Sequence, residues 1–358
     1  IASLLLSGTF LYAKDIASLD TITVSAQKSM ENVQKVPISL SVFDDIAIDD
    51  KSISNLDDIA KYTPNLLLFN TGQQGLTSPS IRGIGSNILS YSSPVSLYTD
   101  GVPIMNSFGF SDTLGDIERI EVLKGPQGTL YGKNSEVGVI NIITKKPNNL
   151  AKREIFTSIG NDGKKEFGGN LSGPIIEDKI YLGISFKHNQ KDGFIKNTVS
   201  NEYINKKENN SGKLNLRYTP TDNLDISLIA SRNKNNNGAH DWASAIGAAP
   251  EVTSNLKGSS TPTTDNIALK VDYNIDNSTK LTSITTKRKH TDKAVIDADF
   301  SQITQRHLYK DFKFNTLSQE LRYEKIITDT KIVTGVYLDK EDNDIYIKTL
   351  TPMAIKNI

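Results

Sequence analysis

The sequence predicts a small α+β domain followed by the strands of an antiparallel transmembrane β-barrel. From Lys152 onward, apolar and polar residues alternate with period two, the pattern of strands in a half-buried antiparallel sheet. The connections between those strands take turns being short and long, as they do in outer-membrane barrels. Residues 20–147 have a different grammar of short helices, strands and turns. No apolar run approaches the ~18 residues that a membrane-spanning helix needs, so a crossing would be made by strands.

The first element is "IASLLLSGTFLYA", an apolar run that ends at Ala13 before Lys14-Asp15. Its length suits a secretory leader, and it lacks the initiator Met and basic start, so residues 1–13 read as a partial signal peptide. A buried helix is the plainer reading, and the polar, helix-poor sequence after Ala13 weakens it. Between Asp44 and Tyr62, "NLDDIAKY" places Leu56, Ile59 and Ala60 at helical spacing and stops before Pro64. "SPSIRGIG", "VSLYTDGVP" and "IERIEVLKG" then read as strands or turns, with Asp100-Gly101 as a hairpin signal.

Glu121 to Pro147, "EVLKGPQGTLYGKNSEVGVINIITKKP", resembles a phosphate-binding loop at first sight. The spacing excludes it. Such a loop needs four residues between its glycines and then Lys-Ser or Lys-Thr. Here Gly128 and Gly132 enclose three, and Lys133 precedes Asn134. Val137 to Thr144, next in the chain, reads as a β-branched strand rather than a helix. Glycines 125, 128, 132 and 138 are therefore expected to permit tight turns and close strand contacts.

Nine strands are predicted after that, near 153–160, 165–173, 179–190, 212–219, 223–234, 265–274, 278–291, 315–326 and 331–342. Ile180, Leu182, Ile184 and Phe186 share one face, opposite Tyr181, Gly183, Ser185 and Lys187. Leu214, Leu216 and Tyr218, then Ile267, Leu269, Val271 and Tyr273, then Leu317, Gln319, Leu321 and Tyr323 repeat the pattern. Lys213, Arg217, Lys270, Asp272, Glu320 and Arg322 point to the other side, polar enough to line a wet lumen. Long polar connections are expected at 189–211, 235–263 and 292–314, with "NDGKK" as a short exception. A soluble sandwich would not need that asymmetry.

Composition removes several functions. Charge is balanced, 41 basic against 41 acidic residues, so nothing in it favours nucleic acid. The absence of cysteine excludes thiol catalysis, cysteine–zinc sites and disulfides. His188, His240, His290 and His307 are scattered, none at metal-ligand spacing from another. No catalytic residue, metal site or cofactor is expected.

The motifs in order resemble those of the TonB-dependent outer-membrane receptors, of the siderophore or iron-complex type. "IERIEVLKGPQGTLYGKNSEVGVINIITKKP" is similar to the family's plug signature, and "IRG" at Ile81–Gly83 and "YTDGVP" at Tyr98–Pro103 match two further plug motifs. "DTITVSA" is similar to the TonB box: Asp20, Thr21, Ile22, Thr23, Val24, Ser25 and Ala26. The resemblance implies a TonB box and linker at 14–32, a plug at 33–147 and the N-terminal part of a β-barrel at 148–358. Plugged barrels of this type close at about 22 strands, so about nine strands imply an incomplete barrel.

The implied function is binding a metal chelate, a ferric siderophore or haem, and importing it across the outer membrane with energy from TonB and its inner-membrane complex. A non-transporting fragment and a receptor for cobalamin or a carbohydrate are the alternatives. A signalling transducer would need a further domain before the box, and a passive porin would need neither plug nor box. Ligand contacts would come from plug and outer loops: Gln73, Gln74, Asn87, Tyr91, Asn106 and Phe108. Trp242, the one tryptophan, either caps a ligand or anchors its loop at the interface. Arg82 and Lys124 would seat the plug against the barrel, with Glu320 as candidate partner. Lys124 and Lys133 stand where the family has Arg, and Glu136-Val137 replaces a small residue and a glycine. A lysine holds its partner as a point charge rather than a fork.

Overall fold

Nine long strands, each antiparallel to the next in chain order, make one continuous sheet that forms the wall. The computed structural model describes residues 23–25, 28–70, 74–86, 92–110, 116–238, 241–243, 250–328 and 330–351. Residues 1–13 of the expected leader lie outside these, as do Asp20, Thr21, Ile22, Ala26, Gln73, Asn87 and Tyr91. The wall runs from Lys152–Ile159 at one edge to Thr330–Leu350 at the other and is open.

Alternation builds this wall as predicted. Ile184, Leu216, Leu269 and Leu321 lie exposed on the outer face, whereas Lys187, Asn215, Asp272 and Thr282 are buried on the inner face. Paired rungs show where the apolar band starts and stops. Tyr273, Leu281 and Tyr323 share its lower rung, near the short turns, like the aromatic girdle of an outer-membrane barrel. Ile267, Lys287 and Leu317 share its upper rung, and one step higher the outer face carries Asp265, Lys289 and Asn315. From Tyr273 to Ile267 the band runs for about 20 Å along the strand at ~3.4 Å per residue. Gln319, a polar residue on this face, donates to Ser283 Oγ at 3.0 Å and accepts from Thr285 Oγ1 at 2.6 Å, so these groups satisfy one another.

The last three strands are longer than the alternation implied. Thr279–Asp297, His307–Ile327 and Thr330–Leu350 have 19, 21 and 21 residues. The long connection expected at 292–314 is therefore mostly strand, and only residues 298–306 lie between these two strands. Above the band both faces can be polar, so a strand there carries no apolar alternation to read.

Ahead of the wall sits a five-stranded sheet in the order Ser39–Asp44, Ile117–Lys124, Gly138–Thr144, Ser92–Thr99, Val102–Asn106. Gly138–Thr144 runs parallel to Ser92–Thr99, and the other neighbours are antiparallel. Helices Asp45–Asp50 and Leu56–Tyr62 begin at Asp44 and Asn55, whose side chains accept from Ala47 N at 2.8 Å and Asp58 N at 3.0 Å. These caps satisfy N–H groups that a first helical turn leaves open. Ile48, Leu56 and Ile59 pack on Leu97, Ile120, Val122, Ile140 and Ile142 in one core. The opposite face of the sheet is mixed: Leu123 and Val139 are buried there, and Glu121, fully buried, accepts from Arg119 Nε at 2.8 Å and Asn141 Nδ2 at 3.1 Å.

Residues 1–37 form a separate unit. In it Thr23–Val24 pairs antiparallel with Glu31–Asn32, and the turn Val33–Lys35 comes next, capped by Asn32.

The glycines of the 121–147 stretch differ in what they do. A Cβ on Gly138 would lie 2.4 Å from Leu123 O on the neighbouring strand and 2.5 Å from Ile81 Cδ1, so there is no room there for any side chain. Gly128 opens the single-turn helix Gly128–Tyr131, and a Cβ there meets nothing within 4 Å. The expectation that all four glycines are needed for tight turns is corrected at Gly128. Gly138→Ala is expected to destabilise the domain by about 1–3 kcal/mol, the usual effect of overpacking, and Gly128→Ala to leave it nearly unchanged. Native-state proteolysis measures both; equal cleavage rates in the two variants would contradict this account.

Candidate functional site

The N-terminal domain meets the inner face of the wall along a seam of polar contacts, with one aromatic contact at its outer end. At the centre, Asp100 and Gly101 form a two-residue hairpin turn with φ of 52° and 87°, between paired Thr99 and Val102. Positive φ at both positions marks the turn whose twist suits a hairpin. It places the Asp100 carboxylate 2.8 Å from Lys213 Nζ on the fourth wall strand, Lys207–Thr221, with both side chains nearly buried. Thr144 adds a backbone N–H at 2.9 Å and its hydroxyl at 2.8 Å to the same carboxylate. Burial pushes the Asp100 carboxyl up; the Lys213 ammonium and these hydrogen bonds overcome that and hold it below its usual range.

Toward the short turns, Lys146 Nζ lies 3.6 Å from Asp225, and Arg217 donates to Pro147 O at 3.1 Å. On the other side of the domain, Lys133 reaches Asp339 at 2.6 Å and Glu341 at 3.1 Å on the last wall strand. At the outer end, Phe108 packs on His290, Phe312 and Phe314 with ring centroids 5.2, 5.5 and 5.0 Å away. Arg288 donates to its carbonyl at 3.3 Å. Beside it, Gln74 Nε2 donates to Asp241 Oδ1 at 2.8 Å, and Ser260 Oγ donates to Gln74 O at 3.0 Å.

The site residues expected from sequence separate on these facts. Phe108 is fully buried, and Gln74 and Asn106 are buried as well. Asn106 Oδ1 accepts from Phe108 N at 3.1 Å, so these three residues hold the domain to the wall and position its loop. Trp242 is 53% exposed and lies on an outer loop. Thr23 and Val24 lie in the short strand described above, and Ser25 O accepts from Lys28 N at 2.8 Å.

The expected seating of Arg82 or Lys124 on Glu320 is replaced by other pairs. Lys124 donates to Ser41 Oγ at 3.0 Å within its own domain, and Glu320 accepts from Arg322 Nη1 at 2.8 Å within the wall. Arg82 is exposed in a left-handed turn, φ 54°. Glu320 and Arg322 stand two apart on one face of one strand, so they meet without help from the other domain. Sequence reasoning assigned Lys213 to the lumen and Asp100 to a turn, but no local signal joins residues 113 positions apart. Asp297, Asp299 and His307 bring potential ligand atoms within 4.8 Å of one another on the outer side. Their hydrogen bonds are those of a loop: Asp299 Oδ2 accepts from Gln305 N at 2.9 Å, and His307 Nε2 meets Asn255 Oδ1 at 3.0 Å.

A folded domain bonded to the polar face of a wall whose other face is apolar has the architecture of a plugged outer-membrane barrel. The family model of the TonB-dependent receptor plug domain matches residues 32–139. The pesticin receptor of Yersinia pestis is 29% identical over 215 residues, 59% of this chain and 32% of that protein. The vitamin B12 transporter BtuB of Vibrio vulnificus (strain CMCP6) is 33% identical over 171 residues, 46% of this chain and 27% of that protein. The fold superposes on the ferric yersiniabactin uptake receptor FyuA of Yersinia pestis with a TM-score of 0.81 at 23% identity, covering 88% of this chain and 50% of that one. Residues 32–139 are a TonB-dependent receptor plug domain, and the chain matches the N-terminal portion of such receptors, which are outer-membrane proteins of Gram-negative bacteria. The chain spans about a third of the length of these curated relatives.

The Asp100 shift sets an acid response. A carboxylate held low in the folded state contributes stability that is present above its unfolded value, about 3.9, and is lost as pH falls through the folded value. The plug's thermal transition is therefore expected to be flat from neutral pH to about 4 and to fall below it. Asp100→Asn should start lower and lose much of that acid slope. Lys213→Met, which leaves a buried carboxylate without its cation, should cost about 3–5 kcal/mol. Calorimetry between pH 3 and 7 reads all three; an Asp100→Asn profile parallel to the parent's would remove Asp100 as the source.

Proposed function

We propose that this chain is part of a receptor that binds a metal chelate at the cell surface, a ferric siderophore or haem, and passes it into the periplasm with energy from TonB. The observation that carries this reading is the folded plug joined by ion pairs to the inner face of a membrane wall. A passive pore has no use for such a plug. The apolar outer band supports outer-membrane lipid as the surrounding partner. Iron is favoured because the structural likeness to a ferric siderophore receptor runs through 88% of the chain. Cobalamin is the second reading, favoured by 33% identity to a B12 transporter over 171 residues.

Asp20–Ala26 would serve as the strand donated to TonB. Within its described residues 23–25, Thr23–Val24 is held by a ladder of two residue pairs. A two-stranded ladder is marginal by itself, so exchanging Glu31–Asn32 for a partner's sheet edge gives up two residue pairs and the burial of Val24. Strand addition draws affinity from main-chain hydrogen bonds, and proline removes a donor from such a ladder. In the full receptor, Val24→Pro and Ile22→Pro are expected to abolish energised uptake of a ferric chelate while surface binding stays unchanged. Uptake at parental rates in both would sink the TonB-box assignment. Uptake of cyanocobalamin or a glycan alone, with no response to iron starvation, would replace the iron reading.

A further inference from the structure

We infer that the outer face of the wall, at the upper margin of its apolar band, seats the phosphates of an outer-leaflet lipid. The partner is a lipid of the surrounding membrane, so the inference stands whatever the receptor transports. Four neighbouring strands carry the seat: Leu224–Asn235, Thr263–Asp276, Thr279–Asp297 and His307–Ile327.

The register sets the arrangement. Lys287 lies on the band's upper rung, between Ile267 and Leu317, and Lys289 follows one step higher on the same strand face. Same-face neighbours on a strand stand ~6.8 Å apart, so the two ammonium groups can close on one anion. Both side chains are exposed, and neither enters an ion pair among the described residues. Asp265 is the cross-strand neighbour of Lys289, but its carboxylate lies 3.5 Å from Arg232 on its other side. One step higher again, a rung runs from Lys234 through Thr263 and Thr291 to Lys313. Lys234 is exposed and without an ion pair among the described residues, and Lys313 reaches Asp344 at 3.5 Å. Like charges set side by side on a sheet destabilise it. An anion between Lys287 and Lys289 reverses the sign of that contribution.

Solvated surface lysines are the plainer reading, and two observations weigh against it. First, the lower margin of the band is built differently. On the three strands from Thr263 to Ile327, Lys325 is the one lysine on the outer face below the band. It donates to Ser278 Oγ at 2.8 Å and Thr279 Oγ1 at 2.5 Å and lies 3.6 Å from Asp276. Unbalanced positive charge is thus confined to the side of the long connections, which is the extracellular side of an outer-membrane barrel. Second, the seat is continuous with the apolar band. Ile267, Leu269, Leu317 and Leu321 are exposed at or below the level of Lys287. The Lys287 stem can lie along them while its ammonium reaches up to the headgroups. The outer leaflet of a Gram-negative outer membrane is built of glycolipid whose sugars carry phosphates above acyl chains. Lysines bind phosphate as point charges. Such a lipid meets both halves of the surface, whereas a free phosphate meets one.

The test uses the full receptor purified in a neutral detergent, with diphosphoryl lipid A as the probe and native mass spectrometry reading the lipid retained. The parent should bind lipid A at least tenfold more tightly than the dephosphorylated lipid. Lys287→Gln combined with Lys289→Gln should weaken lipid A tenfold or more. Lys287→Arg combined with Lys289→Arg should keep it, and Lys325→Gln at the opposite margin should leave it unchanged. Inorganic phosphate in tenfold excess should not displace the lipid. Equal affinity for the two lipids, parental affinity in the double Gln variant, or the same loss in Lys325→Gln would each overturn the proposal. Displacement by equimolar inorganic phosphate would overturn it too, by making the surface a free-anion site. The assay needs neither TonB nor a chelate, so it can fail while energised uptake stands, and the reverse.

Discussion

Lys213 points from the middle of a membrane strand toward the inside of the wall, where its side chain is only 13% exposed. An ammonium left alone there would destabilise the structure by several kcal/mol. Asp100 removes that problem, and much else has to be right for it to do so. Its turn needs positive φ at two successive residues, which Gly101 provides at its second position. The turn must close the Ser92–Thr99 and Val102–Asn106 hairpin, and Thr144 must arrive from the parallel neighbour Gly138–Thr144 to hold the same carboxylate. One buried pair thus fixes the register of two plug strands, a turn and a wall strand together. The other ion pairs of the seam are more exposed and weaker singly, so they refine a seating that this pair sets.

Elements governed by a repeating rule were legible in the sequence. The nine wall strands, their facing and the side with short turns are all consequences of period-two alternation within a bilayer-facing band. The ends of the last three strands were not, because alternation of apolar with polar stops being required above the band. Asp292 to Asp297 and His307 to Phe314 read as loop composition and form strand in the structure.

The site was less legible for a different reason. Lys133 was recognised as departing from the arginine usual at its position, and it sits between two carboxylates, Asp339 and Glu341, an arrangement that suits a point charge better than a fork. Lys124, read in the same way, turns to a serine of its own sheet. Nothing local separates these two lysines. They differ in which strand lies across from them, and that is a property of the assembled wall. Phe108 shows the same limit: an aromatic in a glycine-flanked loop looks available to a ligand, but four wall side chains enclose it.

The plug's own cohesion and its attachment to the wall use different physics. Its main apolar core, from Phe43 to Ile142, belongs to the plug alone and contains no wall residue among those described. The seam is made of ion pairs and hydrogen bonds, with Phe108 and the nearby Leu76 as the apolar side chains that join a wall cluster. Separating the two bodies would therefore leave the plug's core buried and expose mainly groups that water can bond. Apolar burial is roughly proportional to area and has no substitute in water, whereas an exposed ion pair contributes about 0–1 kcal/mol because water competes for it. A plug built in this way can shift inside its wall without first unfolding. The contacts that resist such a shift most are the Asp100–Lys213 pair and the Phe108 cluster, which hold two different levels of the plug. Movement that releases one and keeps the other would tilt the plug instead of extracting it, and would open space on one side of the seam only.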